Sequence, residues 1–177
     1  MIREAPRLET ERLVLRPWRK DDFRTWLEVM REPEVHRHFG PEPSSAEDVW
    51  RRLCASVGMW QFLGFGSWAV ERKADAKLLG NVGLFNAWRD FEPQFGEEPE
   101  MGWIFATEAH GHGFAGEACR AALQWAEANL DPTPVWAIVA PENEPSLRLA
   151  AKLGFERVAD TLYQGDPTVV LKRPAWA

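Results

Sequence analysis

Residues 100–118 read EMGWIFATEAHGHGFAGEA, and this stretch is the most informative part of the sequence. Glu100–Ala106 predicts a β-strand. Residues 114–130, with small side chains on one face, predict a helix that lies close against a sheet. Between them a glycine-rich turn leaves the strand and enters the helix, which gathers unpaired backbone N–H groups at the positive end of the helix dipole. The sequence therefore predicts a phosphate-binding turn.

The glycines of this turn leave three interpretations open. Gly111, Gly113 and Gly116 satisfy G-x-G-x-x-G, the dinucleotide-binding fingerprint, but that motif belongs on the first strand of a doubly wound sheet, with an acid about 20 residues later. Here most of the chain precedes the turn, and the apolar Val135–Ala137 stands where the acid would be. A glycine-rich helix entry without a ligand is the second interpretation. The third is a family resemblance.

His110–Ala115 resembles the Gln/Arg-x-x-Gly-x-Gly/Ala signature of the GNAT superfamily of acyl-CoA-dependent N-acetyltransferases, with His110 in place of the usual Gln or Arg. Gly111–Ala118 is similar to the ribosomal-protein N-terminal acetyltransferase branch. Leu8–Pro17 looks like the opening strand of that branch. Asn143–Ser146 and Lys152–Phe155 look like its Asn-x-x-Ser and Lys-x-Gly-Phe segments. Because His110 replaces the usual Gln or Arg, the side-chain contact to the pyrophosphate can differ from that of the family. The binding of phosphate by backbone amides does not depend on this side chain.

The resemblance implies an α/β (α+β) GNAT fold in one domain, residues 1–177. Its central sheet is mixed and mostly antiparallel, with about seven strands, about four flanking helices and one parallel, splayed strand pair. The residue patterns predict strands at 12–18, 67–72, 78–85, 100–106, 134–140, 155–163 and 168–172, and helices at 21–30, 44–60, 114–130 and 144–153.

The resemblance also implies acetyl-CoA as cosubstrate and no metal. The pyrophosphate would lie on the backbone of the glycine turn, and the pantetheine arm would pair with the last strand residues before it. One amide of residues 103–105 would stabilise the oxyanion. The expected CoA-binding residues are Ile104, Phe105, Ala106, His110, Gly111, His112, Gly113, Phe114, Ala115, Gly116, Asn143 and Ser146.

Glu100 and Ser146 are the candidate catalytic residues. Glu100 begins the strand beside the expected slot and could act as base directly or through one water; the alternative is a solvated acid in an acidic loop. In the resembled branch the serine of Asn-x-x-Ser is the proposed proton donor, and the position of the tyrosine that many superfamily members use is Ala150. The alternative is that Asn143 caps a helix and Ser146 satisfies a backbone group in its first turn.

Trp88 and Trp103 flank the acidic loop at 90–99 and are the candidates for lining an acceptor pocket. With the acids of that loop they could form an aromatic, negative vestibule that attracts a cation; the alternative is an exposed polar loop. The pairs His36-x-His38 and His110-x-His112 raise a metal interpretation, but no Asp, Glu or Cys at metal-ligand spacing accompanies them.

Composition limits the partners. A net charge of −6 and a pI near 5.3 argue against a nucleic-acid or anionic-membrane binder. Cys54 and Cys119 form neither a metal spacing nor a disulfide framework, and the sequence shows no membrane span or signal peptide, so we expect a soluble cytoplasmic protein. A homodimer is compatible with its size and with the resembled family.

The expected reaction is acetyl transfer from acetyl-CoA to a primary amine by direct attack in a ternary complex. The acceptor is a protein N-terminal α-amine or a small-molecule amine. The alternative is a non-catalytic module that binds or senses acyl-CoA.

Overall fold

The structure is a computed structural model that describes residues 4–177. The elements of this range are β1 Leu8–Glu9, β2 Leu13–Arg16, α1 Asp22–Arg31, α2 Pro33–His36, α3 Ala46–Leu63, β3 Ser67–Arg72, β4 Lys77–Phe85, β5 Glu100–Phe105, α4 Phe114–Asn129, β6 Val135–Val139, α5 Glu144–Lys152, β7 Glu156–Tyr163 and β8 Asp166–Arg173. A 3-10 turn at Thr107–Ala109 follows β5. The strands are mostly antiparallel, with one parallel pair, β5 and β6.

The predicted fold class is confirmed, with eight strands and five helices in the described range where we predicted about seven and about four. The additional elements are short. β1 has two residues, and α2 is a single turn that Pro33 opens at its first position. Elements of this length are too short to show a repeat of hydrophobic residues, so the sequence pattern did not reveal them.

The chain divides into two compact units. The first contains the residues up to Gly83 together with Trp103–Ala122, and the second contains Leu84–Gly102 and Leu123–Ala177. β4, β5 and α4 contribute residues to both units. The single domain over 1–177 stays a prediction.

In the first unit β1, β2, β3 and β4 pair in this order, each antiparallel to the next. The predicted β3–β4 hairpin is confirmed, with Ser67 opposite Gly83. The end of β5 joins this unit, because the amide of Ala106 donates to the carbonyl of Leu79 at 2.8 Å. Close approach explains Gly80, since a Cβ there would lie 2.5 Å from the carbonyl oxygen of Ile104.

Helices α1 and α3 cover one face of this unit. Their buried side chains pack with Ala69, Leu78 and Ala106, so this core reaches the residue that follows β5. α3 begins at Ser45, whose hydroxyl accepts from the amide of Asp48, as the serine-rich capping signal predicts. It ends at Gly64, whose φ of +76° is left-handed.

In the second unit the strand order is β5, β6, β8, β7. Glu100 at the start of β5 lies opposite Trp136 of β6 in the parallel pair. β8 is antiparallel to both β6 and β7, so β8 lies between two strands that precede it in the chain. In residues 4–177 no helix combines the length and the apolar character that a membrane crossing requires.

Candidate functional site

The glycine turn lies where the sequence predicted it, between β5 and α4 in the first unit. Gly111 and Gly113 have φ angles of +77° and +79°. These left-handed angles are unfavourable for residues with a Cβ, so the conformation explains both glycines. A Cβ at Gly111 would meet no atom within 4 Å, so the backbone faces open space there. Gly116 lies inside α4, where its role does not depend on a positive φ.

The first turn of α4 presents free backbone donors. The amide of Glu117 donates to the carbonyl of Gly113 at 3.1 Å, the first bond that closes a helical turn. The amides of residues 114–116 precede this bond and have no acceptor within the helix. The positive end of the helix dipole lies at the same place. The arrangement can therefore hold an anion through neutral donors.

Arg12, in the connection between β1 and β2, contacts this turn. Its Nη1 donates to the carbonyl oxygen of His112 at 2.9 Å, and its Nε donates to Oε2 of Glu117 at 2.7 Å. Its guanidinium carbon lies 4.5 Å from the ring centroid of Phe114. Arg12 belongs to the predicted first strand, and the sequence pattern indicated no further role for it.

The ring of His110 bonds to the backbone of β5 and not outward into the turn. Its Nε2 lies 2.9 Å from the carbonyl oxygen of Phe105. The histidine therefore ties the start of the turn to the end of the strand, and this nitrogen is already engaged by protein.

The end of β5 presents its polar groups to two sides. The amide of Ala106 points to β4, where it bonds to Leu79. Because successive residues of a strand direct their N–H groups to opposite edges, the amide of Phe105 points to the other side. Of the predicted pantetheine-pairing residues Ile104, Phe105 and Ala106, the middle one therefore directs its amide away from β4.

Glu100 lies in the second unit, buried and paired. It is 2% exposed, and its Oε2 and Oε1 each lie 2.7 Å from a nitrogen of Arg89. The Arg89 guanidinium in turn stacks 4.6 Å from the ring centroid of Tyr163. Burial raises the pKa of Glu100 above the usual carboxyl value, although Arg89 acts in the opposite direction. Glu100 is therefore not the solvated loop acid that the alternative interpretation described.

Asn143 and Ser146 lie at the start of α5, also in the second unit. Asn143 is the N-cap, and its Oδ1 accepts from the amide of Ser146 at 3.2 Å. The predicted capping role of Asn143 is thus observed, and it fixes the backbone on which the half-buried Ser146 side chain is carried. Ala150, one of the alanines of the same helix, is buried.

The acidic loop is partly neutralised within the second unit. Glu98 accepts from the indole nitrogen of Trp136 and pairs with Lys172 at 3.3 Å. The ring of Phe95 stacks on Trp136 with centroids 4.4 Å apart. Asp90, Glu92 and Glu97 remain exposed. The loop is consequently a packed aromatic segment with an acidic outer surface.

The two candidate acceptor residues differ in exposure. Trp88, in the second unit, is 68% exposed, and its amide donates to Oδ1 of Asn86 at 3.1 Å. Trp103, in the first unit, is half-buried. The structure does not bring the predicted site residues together within either unit, because the glycine turn belongs to the first and Glu100, Asn143 and Ser146 belong to the second.

No group of three or more His, Cys, Asp or Glu side chains in residues 4–177 is placed to hold a metal ion. His110, one member of the histidine pairs, instead bonds to Phe105.

A sequence model of the family described as "Acetyltransferase (GNAT) domain" matches residues 12–156. The chain belongs to the GNAT acetyltransferases. The matched range includes the glycine turn and the Asn143–Ser146 and Lys152–Phe155 stretches. The predicted membership of the GNAT superfamily is therefore confirmed.

Individual GNAT relatives match along most of their length. The chain is 29% identical over 153 residues to YoaA, an uncharacterized N-acetyltransferase of Bacillus subtilis, covering 86% of this chain and 84% of the relative. It is 35% identical over 151 residues to YnaD, an uncharacterized N-acetyltransferase of the same organism, covering 85% and 82%. A solved GNAT-family structure from Bordetella pertussis superposes with a TM-score of 0.85 at 32% identity, covering 96% of this chain and 99% of that one.

These matches show that the GNAT protein is an acetyl-CoA-dependent acyltransferase. Two contacts that hold the GNAT turn in place were not predicted from the sequence. One is Arg12 with Glu117, and another is Glu32, whose Oε2 accepts from the amide of Thr107 at 2.7 Å. Arg12 lies in the opening-strand stretch Leu8–Pro17 and Glu117 in the glycine-turn stretch, but neither stretch reveals that the two residues are partners.

Proposed function

We propose that this GNAT enzyme transfers the acetyl group of acetyl-CoA to a primary amine, by direct attack of the amine on the thioester in a ternary complex. The observation that carries the proposal is the glycine turn, with Gly111 and Gly113 in left-handed conformations before an open helix N-terminus. That turn supplies what a diphosphate requires: close backbone approach and several neutral N–H donors.

In this proposal the diphosphate of CoA lies on the amides of His112–Gly116. The pantetheine arm pairs with the edge of β5 to which the amide of Phe105 points. Ile104 and Ala106 flank Phe105 along this edge. The Asn143 cap holds the backbone of Ser146 in place through its hydrogen bond to the Ser146 amide. The thioester carbonyl then accepts from an amide of residues 103–105 as its oxygen becomes negative.

The reaction forms one C–N bond and breaks one C–S bond. The amine nitrogen attacks the thioester carbon, the thiolate of CoA leaves, and the nitrogen loses a proton. An α-amine with a pKa near 7.7–8.0 costs about 1 to 1.4 kcal/mol to deprotonate at pH 7, whereas a lysine-like amine costs about 4.6 kcal/mol. A protein N-terminus therefore requires only a modest base, which favours it over a lysine side chain as acceptor.

We assign the proton transfers to Ser146 and Glu100. Ser146 donates its hydroxyl proton to the leaving thiolate and regains a proton from solvent. Glu100 takes the proton of the amine directly or through one water, and the burial that raises its pKa moves it toward the working range of a base. Its two hydrogen bonds with Arg89 support a structural role instead. The catalytic and structural roles predict opposite results for the Glu100→Gln variant described below.

The acceptor enters beside Trp88 and Trp103 in this proposal. The exposed indole of Trp88 offers a π face to a cation, and the exposed acids Asp90, Glu92 and Glu97 are in the same loop. An amine in its ammonium form suits such a surface before it loses its proton.

The test is release of free CoA thiol by purified protein with acetyl-CoA and a panel of amines. The panel contains peptides with free N-termini, the same peptides with blocked N-termini and a free lysine, and small polyamines. Thiol release above the no-amine control, with an acetylated amine in the mass spectrum, supports the proposal. Tight CoA binding with no release on any amine would support the non-catalytic module and would refute acetyl transfer.

A further inference from the structure

Arg12 makes several contacts with the glycine turn and with the first turn of α4. Its Nη1 bonds to the carbonyl of His112, its Nε and Nη2 both reach Oε2 of Glu117 at 2.7 Å, and its guanidinium lies over Phe114. Its Nη2 is also 3.5 Å from where a Cβ of Gly113 would be. A guanidinium carries its donors in a rigid fork, so these contacts fix the backbone in one arrangement.

The bond to His112 determines where the next amide points. In a trans peptide the C=O of one residue and the N–H of the next lie in one plane and point in opposite directions. With the carbonyl of His112 held toward Arg12, the N–H of Gly113 is directed away from Arg12. Glycine residues at 111 and 113 leave the turn unusually free to rotate, so without this bond the amide would sample other directions.

Glu117 anchors the arginine. Its Oε1 accepts from the hydroxyl of Thr10 at 2.6 Å and from the amide of Arg12 at 2.9 Å. Burial raises the pKa of Glu117, but the bonds from Thr10 and Arg12 outweigh it and bring the pKa below the usual carboxyl value. The carboxylate is thus charged at neutral pH, and Arg12 neutralises it beside the place where an anion would bind.

We infer that Arg12 is a positioning residue for the glycine turn at residues 110–113. It orients the amide N–H of Gly113 toward the diphosphate of CoA. The inference rests on the proposed function, because it takes that turn as the CoA site. It assigns the residue no contact with the reacting atoms.

The experiment compares Arg12→Lys with wild type by calorimetry, using CoA and pantetheine, which shares the thiol arm of CoA and lacks the diphosphate. Lysine keeps the positive charge but cannot bond to His112 and Glu117 together. We expect the Kd for CoA to rise by about tenfold, the effect of losing one hydrogen bond to a charged group, and the Kd for pantetheine to stay unchanged. Arg72→Lys is the matched control, because Arg72 donates two hydrogen bonds to the carboxylate of Asp75 in the β3–β4 hairpin.

The outcomes separate this inference from the proposed function. Wild-type protein that does not take up CoA refutes the proposed function itself. Wild-type uptake with an equal Kd in Arg12→Lys refutes only the inference. Equal losses for CoA and pantetheine, with a lower Tm, would show a general structural role and also overturn it. If Arg12→Lys does not fold, Glu117→Gln tests the same anchor: a severalfold rise in the CoA Kd supports the inference, and an unchanged Kd overturns it.

Discussion

The variant Gly111→Ala distinguishes the proposed ligand-binding role of the glycine turn from the requirement of its backbone for glycine. Gly111 has φ +77° and Gly165, in the turn between β7 and β8, has φ +91°, and a Cβ at either position would meet no atom within 4 Å. Placing an L-residue in the left-handed region costs about 1–2 kcal/mol at each position. Gly111→Ala and Gly165→Ala should therefore both lower the Tm, by about 2–4 °C for each kcal/mol in a chain of this size.

Only Gly111→Ala should weaken CoA binding. Its methyl group fills the open space over the turn. The loss of one or more hydrogen bonds from backbone amides to a charged diphosphate corresponds to about a 10- to 100-fold rise in Kd. Differential scanning fluorimetry gives the Tm values, and calorimetry with CoA gives the Kd values. Equal CoA affinity in Gly111→Ala and Gly165→Ala, at equal Tm, would show that the diphosphate does not approach this backbone.

Further expectations concern the buried pair, the thiols and the charge of the site. Glu100→Gln leaves the half-buried Arg89 cation without its partner and should cost about 3 kcal/mol of stability, against less than about 1 kcal/mol for Glu34→Gln in an exposed pair. A loss of kcat of about 100-fold or more in folded Glu100→Gln assigns the base role, whereas retained kcat assigns a structural one. Cys54 is exposed and Cys119 is buried, where burial raises the pKa of its thiol. A thiol reagent should therefore modify one cysteine of the native enzyme, and reaction of both without denaturant would contradict this packing. If neutral amides bind the diphosphate as proposed, the CoA Kd should rise less than about threefold between low and physiological salt, and a larger rise in Kd would indicate direct cation contacts.

The sequence predicted the elements whose signals are local. The β3–β4 hairpin, the Ser45 cap and the glycine turn are encoded by residues next to one another, so alternation, capping and glycine spacing were sufficient. The end of α5 at Gly154, with φ +87°, has the same origin. The position of the glycine turn in the chain could therefore be predicted without knowledge of the fold.

The sequence could not predict the partners that lie far apart along the chain. Arg12 and Glu117 are 105 positions apart, and only the folded sheet brings them together. β8 inserts between β6 and β7 for a similar reason, since pairing between distant strands leaves no local pattern. Glu100 was predicted beside an acidic loop from its neighbours, but its burial depends on Arg89, a pairing the spacing alone did not indicate.

The acidic composition of the chain is compatible with a polyanionic cosubstrate because net charge and local contacts act over different distances. Repulsion from a net charge of −6 is spread over the surface and screened beyond about 8 Å at physiological salt. Each backbone amide that bonds to a phosphate oxygen contributes about 1.5–3 kcal/mol at contact distance. Glu117, the acid in the first turn of α4, is paired with Arg12. A diphosphate on this turn therefore meets donors without meeting an unpaired carboxylate there, whereas a long nucleic acid would need a continuous basic face, which the composition argues against.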